Sequence, residues 1–239
     1  MIAAAPPAII AQASPPASTP FATPIAVPPW IAAPRPVDAW LARHDGFVAR
    51  AQAAKQFDVL FLGDSITDLF ATRGVDAWNR EVAPFGDVVD FGISGDRTQM
   101  LLWRVQHGEL DGARARAIVL MIGTNNLASA SAEDVARGVA AIVGTIRAKQ
   151  PQAVVILLAL LPRGNPGDAA RTKVAAVNAL IVKLADGTHV RWLDFGAQYL
   201  DADGTIPPAL MPDKLHPSAA GYDIWATALR PALRDALAK

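Results

Sequence analysis

The sequence predicts an α/β domain built on a parallel sheet with helices on both faces. Three observations point there: short runs apolar at nearly every position, amphipathic stretches of helical length between them, and regular alternation of the two. Near-continuous apolar runs mark strands buried on both faces. Strand and helix in alternation imply right-handed βαβ crossovers. The chain has 239 residues, 52% of them hydrophobic and 18% charged, with a formal net charge of zero. Such a balance fits a globular protein and offers no basic footprint for nucleic acid. The longest strongly apolar stretch, Ala153 to Leu161, is of strand length and falls well short of the roughly 20 residues that span a bilayer. The absence of cysteine excludes disulfides, thiolate metal sites and a cysteine nucleophile.

In chain order, the first 34 residues carry no charge and are dense in Ala and Pro, with paired prolines at 6–7, 15–16 and 28–29. Such a segment favours extended, solvated backbone. Ala11-Gln12-Ala13 resembles a signal-peptide cleavage site, although no positively charged stretch precedes it. Residues 1–36 are therefore expected to be a leader or linker outside the site, and a periplasmic or secreted location is expected. The domain is expected over 37–239. Asp38 is placed to cap a helix reaching about Gln56, with Trp40, Leu41, Phe47 and Val48 on one face. Strands are expected at Asp58–Leu62, Val88–Phe91, Ile118–Ile122, Val154–Leu160 and Val190–Leu193. Helices are expected at Val75–Val82, Thr98–Val105, Ala132–Lys149, Ala169–Asp186 and Ser218–Leu237, the third of these opening on Ser131 and Asp134 spaced as a capping box.

In a parallel sheet ligands bind beyond the carboxyl ends of the strands. The first strand ends in Gly63-Asp64-Ser65, a serine at a strand-to-helix turn where backbone N–H groups lack partners, as a nucleophile would require. A helix-capping serine is the plain alternative. The second ends in Gly92-Ile93-Ser94-Gly95-Asp96 and the third in Gly123-Thr124-Asn125-Asn126. Glycine admits close approach to backbone N–H groups and asparagine supplies a neutral donor, so together they can hold an oxyanion, although each also populates ordinary turns. Near the C-terminus Asp213 precedes His216 by three residues, close enough to receive the Nδ1 proton and leave Nε2 facing a nucleophile. Pro217 suits the first position of the helix that follows. His44, His107 and His189 are read as structural or surface residues without a carboxylate so placed. No metal-ligand spacing stands out, and neither a metal nor a cofactor is expected.

Gly63-Asp64-Ser65, Gly95, Gly123-Thr124-Asn125 and Asp213 with His216 resemble the four ordered blocks of the SGNH/GDSL hydrolases. Phe91-Gly92-Ile93, Leu102-Trp103-Arg104, Gly108-Glu109-Leu110 and Leu160 to Gly164 are similar to the platelet-activating-factor acetylhydrolase branch. The likeness runs from about Asp58 to Leu229, with departures at Ser94 and Pro217. It implies a flavodoxin-like three-layer α/β/α domain on a five-stranded sheet and metal-independent ester hydrolysis with a preference for short acyl groups. It also implies Ser65 as nucleophile, His216 as base and Asp213 as its orienter. The oxyanion donors would be the N–H groups of Ser65 and Gly95 with the Asn125 side chain, and Asn126 receives no catalytic role. Ile66, Thr124 and Leu215 flank these residues and are expected to line a short acyl pocket. The expected partner is a small-molecule ester, with monomer and homodimer both open. A lysophospholipase or thioesterase is the near alternative. A silent binding module on the same fold is opposed by the complete set of catalytic residues. A flavin or nucleotide binder is opposed by the lack of a Gly-rich phosphate loop, where Asp64 would repel phosphate.

Overall fold

The computed structural model describes residues 27–238, so the cleavage-like Ala11-Gln12-Ala13 lies outside the described residues. Strands β1 (Gln56–Gly63), β2 (Val88–Asp90), β3 (Arg114–Met121), β4 (Val154–Leu158) and β5 (Val190–Leu193) form one sheet in the order β2-β1-β3-β4-β5. Every pairing is parallel. That order is the flavodoxin-like one, and its direction reverses between β1 and β3, which is where such sheets bind ligands. The helices are α1 (Asp38–Ala53), α2 (Ser65–Asp68), α3 (Phe70–Arg73), α4 (Val75–Ala77), α5 (Thr98–Gln106), α6 (Ala132–Lys149), α7 (Ala169–Ile181) and α8 (Ala219–Leu237). One layer packs α8 with α3 and α4; the other is the row α5, α6, α7.

All five expected strands are present, and the boundaries that moved have physical causes. β3 begins at Arg114, ahead of the apolar run, because Arg114-Ala115-Arg116-Ala117 buries its alanines and turns its arginines outward. β4 stops at Leu158 because the Asn178 side chain takes over the backbone of Leu160, meeting its N–H and its carbonyl at 2.9 Å each. α1 ends at Ala53, and Asp38 lies inside its first turn with Val37 as cap, so it favours the helix through the dipole rather than as a cap. The helix expected at Val75–Val82 is α4 followed by a π-helical turn, Trp78–Val82. Ser131 does cap α6, accepting from the Asp134 N–H at 3.0 Å. Pro217 lies before α8, whose cap is Ser218.

Residues 27–36 belong to the packed chain, so the boundary expected at Val37 falls inside it. The Pro29 carbonyl accepts from Thr98 Oγ1 at 2.9 Å, and Ala33 N–H donates to the Gln99 carbonyl at 3.0 Å. The Arg137 guanidinium lies 3.5 Å from the centre of the Trp30 ring. Composition missed this because the segment is held through backbone hydrogen bonds and one ring rather than through a buried apolar face.

Beneath the end of β1 lies an aromatic cluster. Phe70 stacks on Tyr222 and Trp225 at 5.0 and 4.9 Å between centroids, and Trp78 meets Phe70 edge-on at 5.3 Å. Gly74 is required there, since a Cβ would lie 2.5 Å from Tyr222 Cβ. The Tyr222 hydroxyl also donates to the Ile66 carbonyl at 2.7 Å, a buried bond worth about 1 kcal/mol. These contacts lock the turn after β1 against α8.

Candidate active site

The turn that follows β1 is built by three small residues. Gly63 has no room for a side chain, because a Cβ would sit 2.6 Å from the Met121 carbonyl of β3. Asp64 caps α2, its Oδ1 accepting from the Ile66 N–H at 3.0 Å. Its carboxyl is fully buried, and burial pushes its pKa up to about 7 against the pull of that bond. Asp64 therefore faces inward and shapes the turn, instead of repelling anions from the ligand side as expected. Ser65 is then the first residue of α2, not its cap.

Ser65 Oγ lies 2.9 Å from His216 Nε2, and His216 Nδ1 lies 2.7 Å from Asp213 Oδ2. The second bond is local. Asp213 Oδ1 accepts from the N–H groups of Leu215 at 3.0 Å and His216 at 2.7 Å, folding the turn so that its other oxygen meets the ring. Partial burial works against the Asp213 charge, but the His216 N–H, the His216 ring and the Leu215 N–H outweigh it and bring its pKa down to about 2. Lys214, between them, has φ 56°, the only left-handed backbone at a non-glycine among the described residues. Its carbonyl accepts from Gly164 N–H at 3.0 Å and its ammonium group meets Asn165, so the turn is held from the loop after β4.

The other two strand ends converge on the same place. Gly95 adopts φ 83° after β2, a conformation that favours glycine, and Asn125 stands in the single turn Thr124–Asn126 after β3. Asn125 Nδ2 donates to the Asp96 carbonyl at 2.9 Å, which joins the two loops. Among the described residues the N–H groups of Ser65 and Gly95 find no acceptor. The loop carrying Gly95 is fastened further by Asp68, which accepts from Ser94 N–H at 3.1 Å and pairs with Arg43, while Arg43 donates to the Gly92 carbonyl at 3.0 Å. Arg35 also reaches the Ser94 carbonyl, at 3.4 Å.

The three residues expected to line an acyl pocket are placed differently from one another. Ile66 is 3% exposed and part of the hydrophobic core, so its side chain contributes almost nothing to the site surface. Thr124 is buried as well, its Oγ1 and carbonyl both accepting from Arg163, at 3.1 and 2.9 Å. Leu215 alone stays half-buried at the surface. Asn126, given no role from sequence, caps α5: its Oδ1 accepts from Thr98 N–H at 3.0 Å and its amide donates to Gln99 at 2.9 Å. A second asparagine beside Asn125 was the available signal, but its partners are distant in sequence.

The remaining histidines are occupied structurally. His44 is buried with Nδ1 3.0 Å from Glu109, and His107 Nδ1 is 2.7 Å from the Trp103 carbonyl. His189 does have a carboxylate three residues before it, Asp186, which the sequence reading overlooked; that pair is exposed and 3.8 Å apart. No helix among the described residues is long and apolar enough to cross a membrane.

Residues 61–224 match the GDSL-like Lipase/Acylhydrolase family. The chain is 40% identical over 186 residues to human platelet-activating factor acetylhydrolase IB subunit alpha2, covering 77% of this chain and 79% of that one. Its fold is similar to that of a GDSL-like lipase from Bacteroides thetaiotaomicron, with TM-score 0.67 and 22% identity over 82% of this chain and 98% of the other. It is similar also to an acetylxylan esterase from Geobacillus stearothermophilus, with TM-score 0.58 and 21% identity over 76% and 96% of the two chains. The chain therefore belongs to the GDSL-like lipase/acylhydrolase family and is a carboxylic ester hydrolase.

Proposed function

We propose that the protein hydrolyses short-chain, acetyl-type esters through an acyl-enzyme formed on Ser65. The observation that carries this reading is the chain of contacts from Ser65 Oγ to His216 Nε2 at 2.9 Å and from His216 Nδ1 to Asp213 Oδ2 at 2.7 Å. Ser65 Oγ attacks the ester carbonyl while His216 takes its proton, and Asp213 holds the ring in the tautomer with Nε2 free. The oxyanion of the tetrahedral intermediate accepts from the N–H groups of Ser65 and Gly95 and from the Asn125 amide. Collapse returns the proton through His216 to the departing alcohol; water then repeats the sequence on the acyl-serine.

The short acyl preference is supported by the relatives named for acetyl ester hydrolysis and by the packing around Ser65. On this reading Ile66 and Thr124, packed into the domain beside Ser65 and Asn125, close off the space behind the reacting carbon, with Leu215 at the edge. Forcing a longer chain into filled space costs typically about 1 to 3 kcal/mol, roughly 5-fold to 150-fold in kcat/KM. The test is kcat/KM for p-nitrophenyl acetate, butyrate and octanoate. Acetate should lead, and Ser65→Ala should lower every rate by at least about 10³-fold in a folded protein. Near-wild-type turnover by Ser65→Ala would overturn the nucleophile; a lead for octanoate would overturn only the acyl preference.

A further inference from the structure

The loop that presents Gly95 is gripped most deeply at Asp96, which is wholly buried. Asp96 Oδ1 accepts from the Trp40 indole N–H at 2.6 Å, and Oδ2 accepts from Arg104 Nε at 2.8 Å. Arg104 is buried too and directs its remaining donors at Glu109, at 2.7 and 2.8 Å, at the Phe91 carbonyl, at 2.9 Å, and at the Gly63 carbonyl, at 3.3 Å. On its backbone side, Asp96 N–H donates to the Ile93 carbonyl at 3.1 Å, closing the turn that leaves Gly95 at φ 83°. Its carbonyl receives the Asn125 amide at 2.9 Å. One residue thus couples the Gly95 turn and the Asn125 side chain, and helix α1 holds it by a single polar atom.

We propose that Trp40 is a positioning residue: its indole N–H fixes Asp96, and through Asp96 the aim of the Gly95 N–H and the Asn125 amide at the developing oxyanion. This rests on the roles given above to Ser65, Gly95 and Asn125. Donors stabilise a transition state only when they are already aimed at where charge develops, and a displacement of about 1 Å can cost about 10²-fold. Arg104 holds the carboxylate from the α5 side and does not replace the indole, because each occupies a different oxygen.

Trp40 packs 5.6 Å from Trp103 and 6.1 Å from His44, so Trp40→Phe keeps an aromatic ring in place and removes the N–H. Turnover of p-nitrophenyl acetate would be measured per active site, counted with a fluorophosphonate that labels Ser65. The expected result is kcat down about tenfold with KM within about twofold, and phenylboronic acid, which needs the oxyanion donors, inhibiting about tenfold less well. A purely structural role would lower the melting temperature or the number of active sites and leave per-site kcat and boronate inhibition unchanged; that result overturns the proposal. So does a loss confined to KM. Should Trp40→Phe fail to fold, benzothienylalanine at the same position keeps the ring shape without the N–H and reads out the same way. Ser65→Ala, assayed alongside, separates the two levels. If it abolishes hydrolysis while the Trp40 variant is silent, only the positioning role falls; if it does not, the nucleophile assignment itself falls.

Discussion

Two turns of this protein share one local design, and only one of them brings its histidine to Ser65. Asp186 and His189 are spaced like Asp213 and His216, and each aspartate uses Oδ1 to collect backbone N–H groups that follow it. Asp186 collects those of Thr188, His189 and Val190 at 2.8, 2.7 and 3.0 Å; Asp213 collects those of Leu215 and His216 at 3.0 and 2.7 Å. Both carboxyls are driven down to about 2: Asp186 chiefly by the Val190 and Thr188 N–H groups, Asp213 by its N–H groups and the imidazole against partial burial. The difference lies in the ring. His216 meets its aspartate at 2.7 Å and a serine at 2.9 Å, whereas His189 stays 3.8 Å from Asp186 with its side chain 56% exposed. His189 precedes β5 and so lies at the amino end of a parallel sheet, opposite the edge where Ser65 follows β1. An aspartate three residues before a histidine thus specifies a turn; the base proposed here additionally requires the end of the sheet where Ser65 stands.

The largest effect that follows from this contrast is in turnover. His216→Ala should lower kcat/KM for p-nitrophenyl acetate by at least about 10³-fold, and His189→Ala should leave it within about twofold. Equal losses in the two variants would erase the distinction between the turns. A comparable drop in Asp213→Asn, which keeps the turn but removes the carboxylate facing Nδ1, together with normal turnover in Asp186→Asn, would sharpen it.

A third aspartate makes the same kind of turn with the opposite electrostatics. Asp64 Oδ1 accepts from the N–H two residues on, as Asp186 and Asp213 do, but burial pushes its pKa up to about 7. Against an unfolded value of about 3.9, a raised carboxyl favours the folded state while protonated, so its stabilising contribution is full below about pH 4 and lost as pH rises through about 7. Asp64→Asn cannot ionise. Its melting temperature relative to wild type should therefore rise between pH 5 and pH 8, by at least about 4 °C. A pH-independent difference would show that Asp64 does not titrate in this window.

The smallest effect belongs to the exposed turn. Asp186 has a lowered carboxyl, so its contribution is present above its unfolded value near 3.9 and lost as pH falls through about 2. Asp186→Asn should lower the melting temperature by about 1 to 2 °C at pH 6, and the gap should close as pH drops toward 2. Thermal melts at the two pH values decide it; a gap that persists at low pH would assign the effect to lost geometry rather than lost charge.

The sheet was legible from residue type alone because strands buried on both faces must be apolar nearly throughout, as Val59 to Leu62 and Val154 to Leu158 are. The candidate site was legible because strand ends are the places where Gly, Ser and Asn appear for steric reasons, and the turn at Asp213–His216 is closed by contacts within four residues. Local turn chemistry gives Asp186–His189 the same spacing, and what sets it apart in the sequence is its place just ahead of the apolar run Val190–Leu193, at the amino end of a strand. Only the tertiary structure shows that His216 reaches Ser65, because their proximity depends on β-strand order and on α8 packing against the turn after β1. It likewise determines that Ile66 and Thr124 face inward, that Val27 to Pro36 lies on the domain, and that Trp40 and Arg104 meet at Asp96. Those contacts join residues far apart in the chain, and a polar group buried among distant partners leaves no periodic trace in the sequence that encodes it.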